Sequence, residues 1–206
     1  MLIVGLTGGV ASGKSIVSQI LKEEGAYLVD ADRIARELVQ PRGSTCKKLI
    51  KAFGKEILQK DGSIDRKKLA VKVFSDPKQR GLLNHILHPR IKKEIRRQLK
   101  AIGQKDPKAI VVIDAPLLIE TGDHREMDKV IVVTSTVAQQ MERLKKRAGM
   151  DQKEARKIIA SQIPTEEKLK AADFVIRNEG SLDETARRTR RVFQELKRFA
   201  LHKKGR

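Results

Sequence analysis

Residues Gly8 to Ser15 read Gly-Gly-Val-Ala-Ser-Gly-Lys-Ser and follow directly on the apolar run Leu2-Ile3-Val4-Gly5-Leu6. No other stretch limits the fold so strongly. A G-x-x-x-x-G-K-S loop between a buried strand and a helix is a phosphate cradle. Its glycines let the backbone turn tightly, so that successive N–H groups face an anion. The helix that follows adds the positive end of its dipole. Gly8, Gly9, Val10, Ala11, Ser12, Gly13, Lys14 and Ser15, with Ile16 in the first helical turn, are the expected nucleotide-binding residues. Lys14 is placed to reach the β- and γ-phosphates, and the Ser15 hydroxyl to sit on Mg²⁺.

The pattern downstream of the loop alternates. Aliphatic strands are expected at Leu2–Leu6, Ala26–Val29, Ala109–Ile113, Lys129–Val133 and Phe174–Ile176, with helices between them. Continuous apolar runs of this kind suit a parallel sheet covered on both faces. The fold class is therefore α/β, a doubly wound five-stranded parallel sheet. Ligands of such sheets bind beyond the carboxyl ends of the strands. The segment from about Gly62 to Ile102 shows helical periodicity and no strand. It reads as a helical insertion, with a helix over Arg66–Phe74 capped by Asp65, a short helix opened by Pro77, and a longer one from Pro89 to Ile102. The core then comprises residues 1–60 and 105–206.

Composition narrows the function classes. Of 206 residues, 45 are Lys or Arg, and the net charge is +19. Nucleic acid is the obvious partner for so basic a chain. The cations are nevertheless dispersed over many helices, and aromatic residues make up only 3%, too few for a base-stacking platform. No specific nucleic-acid partner is expected. Cys46 is the only cysteine, which fits a reducing compartment, and Met1 is followed at once by strand residues rather than a basic leader. The longest apolar stretch, interrupted by Asp114 and Pro116, is too short to span a bilayer. These features point to a cytoplasmic protein, a monomer or weak homo-oligomer. No guanine-reading Asn-Lys-x-Asp loop is present, so a GTPase switch is disfavoured.

Several further residues carry candidate chemistry. Asp30 and Asp32 flank Ala31 at the end of the second strand, and as an i, i+2 pair on extended backbone they would point to one side. The local sequence leaves two readings of Asp32 level: a general base for an attacking hydroxyl, or a cap on the next helix. Arg36, one turn on, could bind substrate phosphate or pair with Asp32. Asp114 ends the third strand, where an aspartate can act on the magnesium shell through water, or simply end a strand. Arg143 and Arg147, at i, i+4, either clamp a transferring phosphoryl group or form a solvated basic face. The Arg-rich helix, Gly149 and the helix capped by Asp151 together look like a mobile lid over residues 140–162. Asn178 lies in a loop that could touch an adenine edge through backbone groups, or be a plain turn.

Taken together, these residues resemble the dephospho-CoA kinase family. The resemblance rests on Leu6-Thr7-Gly8-Gly9 leading to Ser12-Gly13-Lys14-Ser15, then Asp30-Ala31-Asp32 with Ile34-Ala35-Arg36. Leu83-Asn84 through Leu87-His88-Pro89 and Asp114-Ala115-Pro116-Leu117-Leu118 with Glu120 follow. Arg143 with Arg147, Ala160-Ser161-Gln162 and Val175-Ile176-Arg177-Asn178 complete the order. It implies a P-loop kinase core with a helical substrate-binding insertion and a lid. The implied reaction moves the γ-phosphoryl of ATP to the ribose 3′-hydroxyl of dephospho-CoA, with Mg²⁺ as cofactor. By this resemblance Asp32 is the general base, Arg36, His88 and Leu117 lie near the acceptor, Arg143 and Arg147 act on the ATP phosphates, and Asn178 lies near adenine. Ala11 stands where the family often has glycine.

Overall fold

Five aliphatic segments pair side by side: β1 (Leu2–Gly8), β2 (Tyr27–Asp30), β3 (Ile110–Asp114), β4 (Lys129–Thr134) and β5 (Phe174–Arg177). The molecule is described by a computed structural model covering residues 1–202 apart from Arg42, Ser75 and Gly149; the side chains of Phe74, Arg147 and Ala148 also lie outside the described set. The sheet order is β2-β3-β1-β4-β5, and every adjacent pair is parallel. This is the doubly wound sheet that the strand spacing predicts. Residues of β3 are buried throughout, as expected of a strand covered on both faces.

The chain divides into two units, Met1–Asp30 with Ala101–Arg206, and Ala31–Lys100. In the first, helix α1 (Lys14–Glu23) lays Val17 and Leu21 on Leu2, Val4 and Leu6 of β1. The C-terminal helix α9 (Leu182–His202) adds Val192, Phe193 and Leu196 to the same cluster. Each such side chain, fully buried, contributes about 1.5–3 kcal/mol. The other face of the sheet buries Leu118, Val130 and Val132. Helices α6 (Val137–Ala148), α7 (Gln152–Ala160) and α8 (Thr165–Lys170) lie between β4 and β5. A capping box between Asp151 and Glu154 starts α7, as the sequence predicts. The six-residue α8 was not expected, because its Thr-Glu-Glu-Lys-Leu-Lys sequence offers only one apolar residue.

The second unit holds α2 (Ala31–Leu38), α3 (Ser44–Phe53), α4 (Arg66–Phe74) and α5 (Pro77–Lys105) as far as Lys100. It has its own core of Cys46, Leu49, Phe53, Ile57, Ile64, Leu69, Val73 and Ile86. Asp65 caps α4 as predicted, its Oδ1 accepting from the amides of Lys67 and Lys68 at 3.0 and 3.1 Å. As expected, the described residues from Gly62 to Ile102 form helices and no strand; an isolated antiparallel bridge joins Leu58 to Ile64 around the Asp61-Gly62 turn. One expectation needs correction. The two helices expected at Pro77 and Pro89 are one continuous helix with Pro89 inside it. A proline normally interrupts a helix by lacking an N–H and crowding the carbonyl four residues back. Here Leu83, Ile86 and Leu87 anchor the preceding turns in the core, which carries the helix past the one bond Pro89 cannot make, to the His85 carbonyl.

Candidate functional site

The loop between β1 and α1 is shaped by close approaches. Gly13 has φ +93°, a left-handed conformation that favours glycine, and a Cβ there would strike the Asn178 amide. A Cβ on Gly8 would stand 2.5 Å from the Val133 carbonyl oxygen. Ala11 also takes a positive φ, +54°, which accounts physically for a preference for glycine at that place. Among the described residues, no side chain caps the start of α1, and its first turn carries no acidic residue. The first helical N–H groups are thus left for an anion.

Side chains from the C-terminal half hold this loop in place. Asn178 follows β5 and is 2% exposed. Its Nδ2 donates to the Ser12 carbonyl at 2.8 Å, and its Oδ1 accepts from the Thr185 hydroxyl at 2.9 Å. Removing such a partner from a buried group costs about 1–3 kcal/mol. The Asn178 side chain is therefore a brace, and any adenine contact falls to the backbone of its loop. Arg143, on α6, donates to the carbonyls of Ala11 at 3.1 Å and Asn178 at 3.0 Å. Gln162 accepts from the Val10 amide at 2.8 Å. Gln140 packs against Gly9, its Nε2 2.7 Å from where a Cβ would stand. Residue-by-residue reading does not single out Gln140 or Thr185, because each looks like an ordinary polar helix residue; Gln162 enters there only through the Ala160-Ser161-Gln162 match. Arg147 is on the same helix as Arg143, but its side chain lies outside the described residues, as does Gly149.

Charge gathers at the strand ends. Lys14 Nζ forms an ion pair with Asp114 Oδ1 at the end of β3. Asp30 is directly opposite Asp114 in the β2–β3 register. Burial pushes the Asp114 carboxyl above its usual range, and the charge of Asp30 adds to that; Lys14 opposes both and is outweighed. A raised carboxyl pKa means that the folded chain holds the proton more tightly than the unfolded one. Its contribution to stability is fully present below the unfolded value near 3.8 and is lost as pH rises through the folded value. Asp114→Asn, which resembles the protonated form, should therefore gain thermal stability relative to the parent as pH is raised from 3.5 to 7. Melting curves at both pH values test this; a relative loss would mean that the Lys14 pair outweighs burial. Ser15, Asp114 and Asp30 offer oxygen donors alone, and the mutual repulsion of the carboxylates suits a hard divalent cation such as Mg²⁺.

The turn after β3 is tied to β1: the Ala115 amide donates to the Leu6 carbonyl and the Thr7 hydroxyl to the Pro116 carbonyl, both at 3.0 Å. This fixes a loop that presents Leu117, 47% exposed. Behind it Glu120 meets Lys168 of α8 at 2.8 Å, off the line of a hydrogen bond. Lys168 is only 2% exposed. Within the charged run Glu166-Glu167-Lys168, nothing in the sequence marks one lysine as buried.

In the Ala31–Lys100 unit, Asp32 and Arg36 lie one turn apart on α2. The expectation of an extended Asp30–Asp32 pair is corrected: β2 ends at Asp30 and the helix begins at Ala31, so only Asp30 is on strand backbone. Asp32 is in the first helical turn, where a carboxylate also suits the dipole. Arg33, not Arg36, makes the i, i+4 pair on this helix, to Glu37 at 3.8 Å. His88 is half-buried in α5, directly before Pro89. No helix among the described residues is long and apolar enough to cross a membrane.

Comparison with known proteins identifies the family. The family profile of dephospho-CoA kinase matches residues 2–184. A dephospho-CoA kinase of Corynebacterium glutamicum is 44% identical over 95% of this chain and 100% of its own. One from Syntrophotalea carbinolica is 45% identical over 90% of this chain and 87% of its own. The solved dephospho-CoA kinase of Campylobacter jejuni superposes with a TM-score of 0.70 at 28% identity, covering 96% of this chain and 98% of that one. The profile match spans both the phosphate loop and the Ala31–Lys100 unit, so the chain belongs to the dephospho-CoA kinase family of P-loop kinases.

Proposed function

We propose that the chain transfers the γ-phosphoryl group of ATP to the ribose 3′-hydroxyl of dephospho-CoA, giving CoA and ADP, with the residue roles that follow. The family match over residues 2–184 carries the reaction; the loop geometry supports the roles. The loop amides from Gly8 to Ser15 bind the β- and γ-phosphates, and Lys14 leaves Asp114 to meet the charge that spreads over the transferred group. Asp32 accepts the proton of the 3′-hydroxyl as its oxygen bonds to the γ-phosphorus and the bond to the β–γ bridging oxygen breaks. Arg143 and Arg147 balance charge on the phosphates, the segment 140–162 acting as a lid. Asn178 steadies the loop, and the backbone beside it meets adenine. Arg36, His88 and Leu117 contact the acceptor, which the Ala31–Lys100 unit holds. Ser15 would hold Mg²⁺, with Asp114 acting through water; bound there, the ion supplies charge neutralisation of the phosphates. The enzyme acts in the cytoplasm as a monomer or weak homo-oligomer, with no nucleic-acid or membrane partner.

Little covalent chemistry falls to the protein; positioning and electrostatics supply the rate. Incubating the protein with ATP, Mg²⁺ and a panel of alcohol acceptors, with product masses read out, tests the proposal. Dephospho-CoA should be the acceptor that gains one phosphoryl group. Phosphorylation of another acceptor in its place would overturn the assignment.

A further inference from the structure

One buried charged pair has no part in the roles above: Lys168 of α8 and Glu120 behind the turn after β3, 2.8 Å apart. Both carboxylate oxygens of Glu120 and the Lys168 ammonium are closed off from solvent, and among the described residues none of these atoms has a hydrogen-bond partner. Only one other described ion pair, Lys14–Asp114, is so far withdrawn from water, and that one lies at the phosphate loop. A buried ion pair is a poor device for stability, since well-packed apolar residues of similar volume do as well or better. The helix has such packing already: Leu169 lies against the cluster of Leu118, Val130 and Val132. What an ion pair adds is a fixed position. Apolar contact is non-directional and tolerates sliding, whereas two opposite charges in a dry site have one favourable arrangement.

We propose that Lys168 is a positioning residue for phosphoryl transfer: through Glu120 it holds the turn from Asp114 to Glu120, and with it Leu117, in a fixed place beside the phosphate loop. The inference rests on the functional reading above, which sets Leu117 against the acceptor and Asp114 by the metal, and it names what keeps them there. The start of the turn is tied to β1 by the Ala115 amide and the Thr7 hydroxyl. Its far end is closed by the Thr121 amide on the Leu117 carbonyl at 3.0 Å and the His124 amide on the Leu118 carbonyl at 3.1 Å. These bonds shape the far end but stay within the segment itself. Glu120 is the side chain there that reaches a different helix. That helix is a firm post, because Leu169 packs on the sheet cluster and Gln162, shortly before it, accepts from the Val10 amide at 2.8 Å. Lys168 touches neither nucleotide nor acceptor; it acts through the loop it holds.

The double variant Lys168→Met/Glu120→Leu tests this by exchanging the pair for apolar side chains of similar volume. Its melting temperature should equal or exceed that of the parent. Its kcat with dephospho-CoA should nevertheless fall about ten- to a hundredfold, the loss expected when reacting groups are misplaced by about an ångström, with KM for ATP within about twofold. A pair that serves stability alone predicts parental turnover here, so kcat within about twofold of the parent overturns the proposal. Glu120→Asp keeps both charges and draws the carboxylate back by one carbon, which guards against misfolding of the apolar variant. Its kcat should fall by about tenfold, and parental turnover would again overturn the proposal. Hydrogen exchange reads the positioning without the reaction. The Thr121 and His124 amides should exchange about tenfold faster or more in the apolar variant, while the Val132 amide of β4 keeps its parental rate. Unchanged exchange at Thr121 and His124 overturns the proposal whether or not the protein makes CoA, whereas a parent that makes no CoA overturns the functional reading alone.

Discussion

Asp32→Asn should lower kcat with dephospho-CoA by on the order of 10²–10⁴, the range for loss of a general base, while KM for ATP stays within about twofold. The substitution separates the two readings that the sequence leaves level. Asn is as good as Asp at a helix start and has the same shape, so a capping role would survive it almost intact. The side chain is exposed on the first turn of α2, and no core packing is lost. Loss of its charge near the helix N-terminus costs only about 0.3–1 kcal/mol of stability. A large fall in turnover with an unchanged melting temperature therefore identifies proton transfer. The acid limb of the kcat/KM profile should also flatten. Turnover within a few-fold of the parent would remove Asp32 from the chemistry.

Lys14→Met should lower kcat/KM for ATP by about 10²–10³, the range for removing one preorganised donor from a developing anion. Met keeps the length and apolar body of the stem, so the first turn of α1 is little disturbed. The loss has a second readout. Lys14 is the group holding down a carboxyl that burial and Asp30 already push up. Without it the Asp114 carboxyl should titrate higher still, as carbon-detected NMR of the aspartates would register. Combining Lys14→Met with Asp114→Asn should then be non-additive in stability, since the second change removes the charge that the first left unpaired. Turnover within tenfold of the parent, or an Asp114 titration that moves down, would count against this role for Lys14.

The sheet was legible because its signal is repeated: five aliphatic runs, each ending near a turn residue, leave little choice but a parallel stack. The phosphate loop was legible because glycine and lysine at fixed spacing have few other uses. Pro89 misled because a proline reads locally as a helix start, whereas three apolar anchors in the turns before it keep the helix going. Asp32 was placed on strand backbone because the chain switches from β to α across a single peptide, between Asp30 and Ala31. Local periodicity cannot resolve so abrupt a change. Lys168, Gln140 and Thr185 were hidden for a different cause. Their importance comes from what lies across the fold: Glu120 for Lys168 and Gly9 for Gln140, more than 40 and more than 120 residues away, and for Thr185 the Asn178 side chain that it holds against Ser12; composition carries no trace of that.

The sheet order has a consequence for how the chain is made. β1 is synthesised before the other four strands yet lies in the centre, between β3 and β4. Its hydrogen-bonding edges have no native partner until Asp114 and then Thr134 have been translated. The loop that follows it is still without its brace until Asn178 and Thr185 emerge. Meanwhile the Ala31–Lys100 segment, with an apolar core drawn wholly from its own residues, is complete first. The nucleotide cradle thus leaves the ribosome before the strands that flank it and the residues that brace it, so a chain truncated between them carries the whole loop motif without the structure that makes it bind.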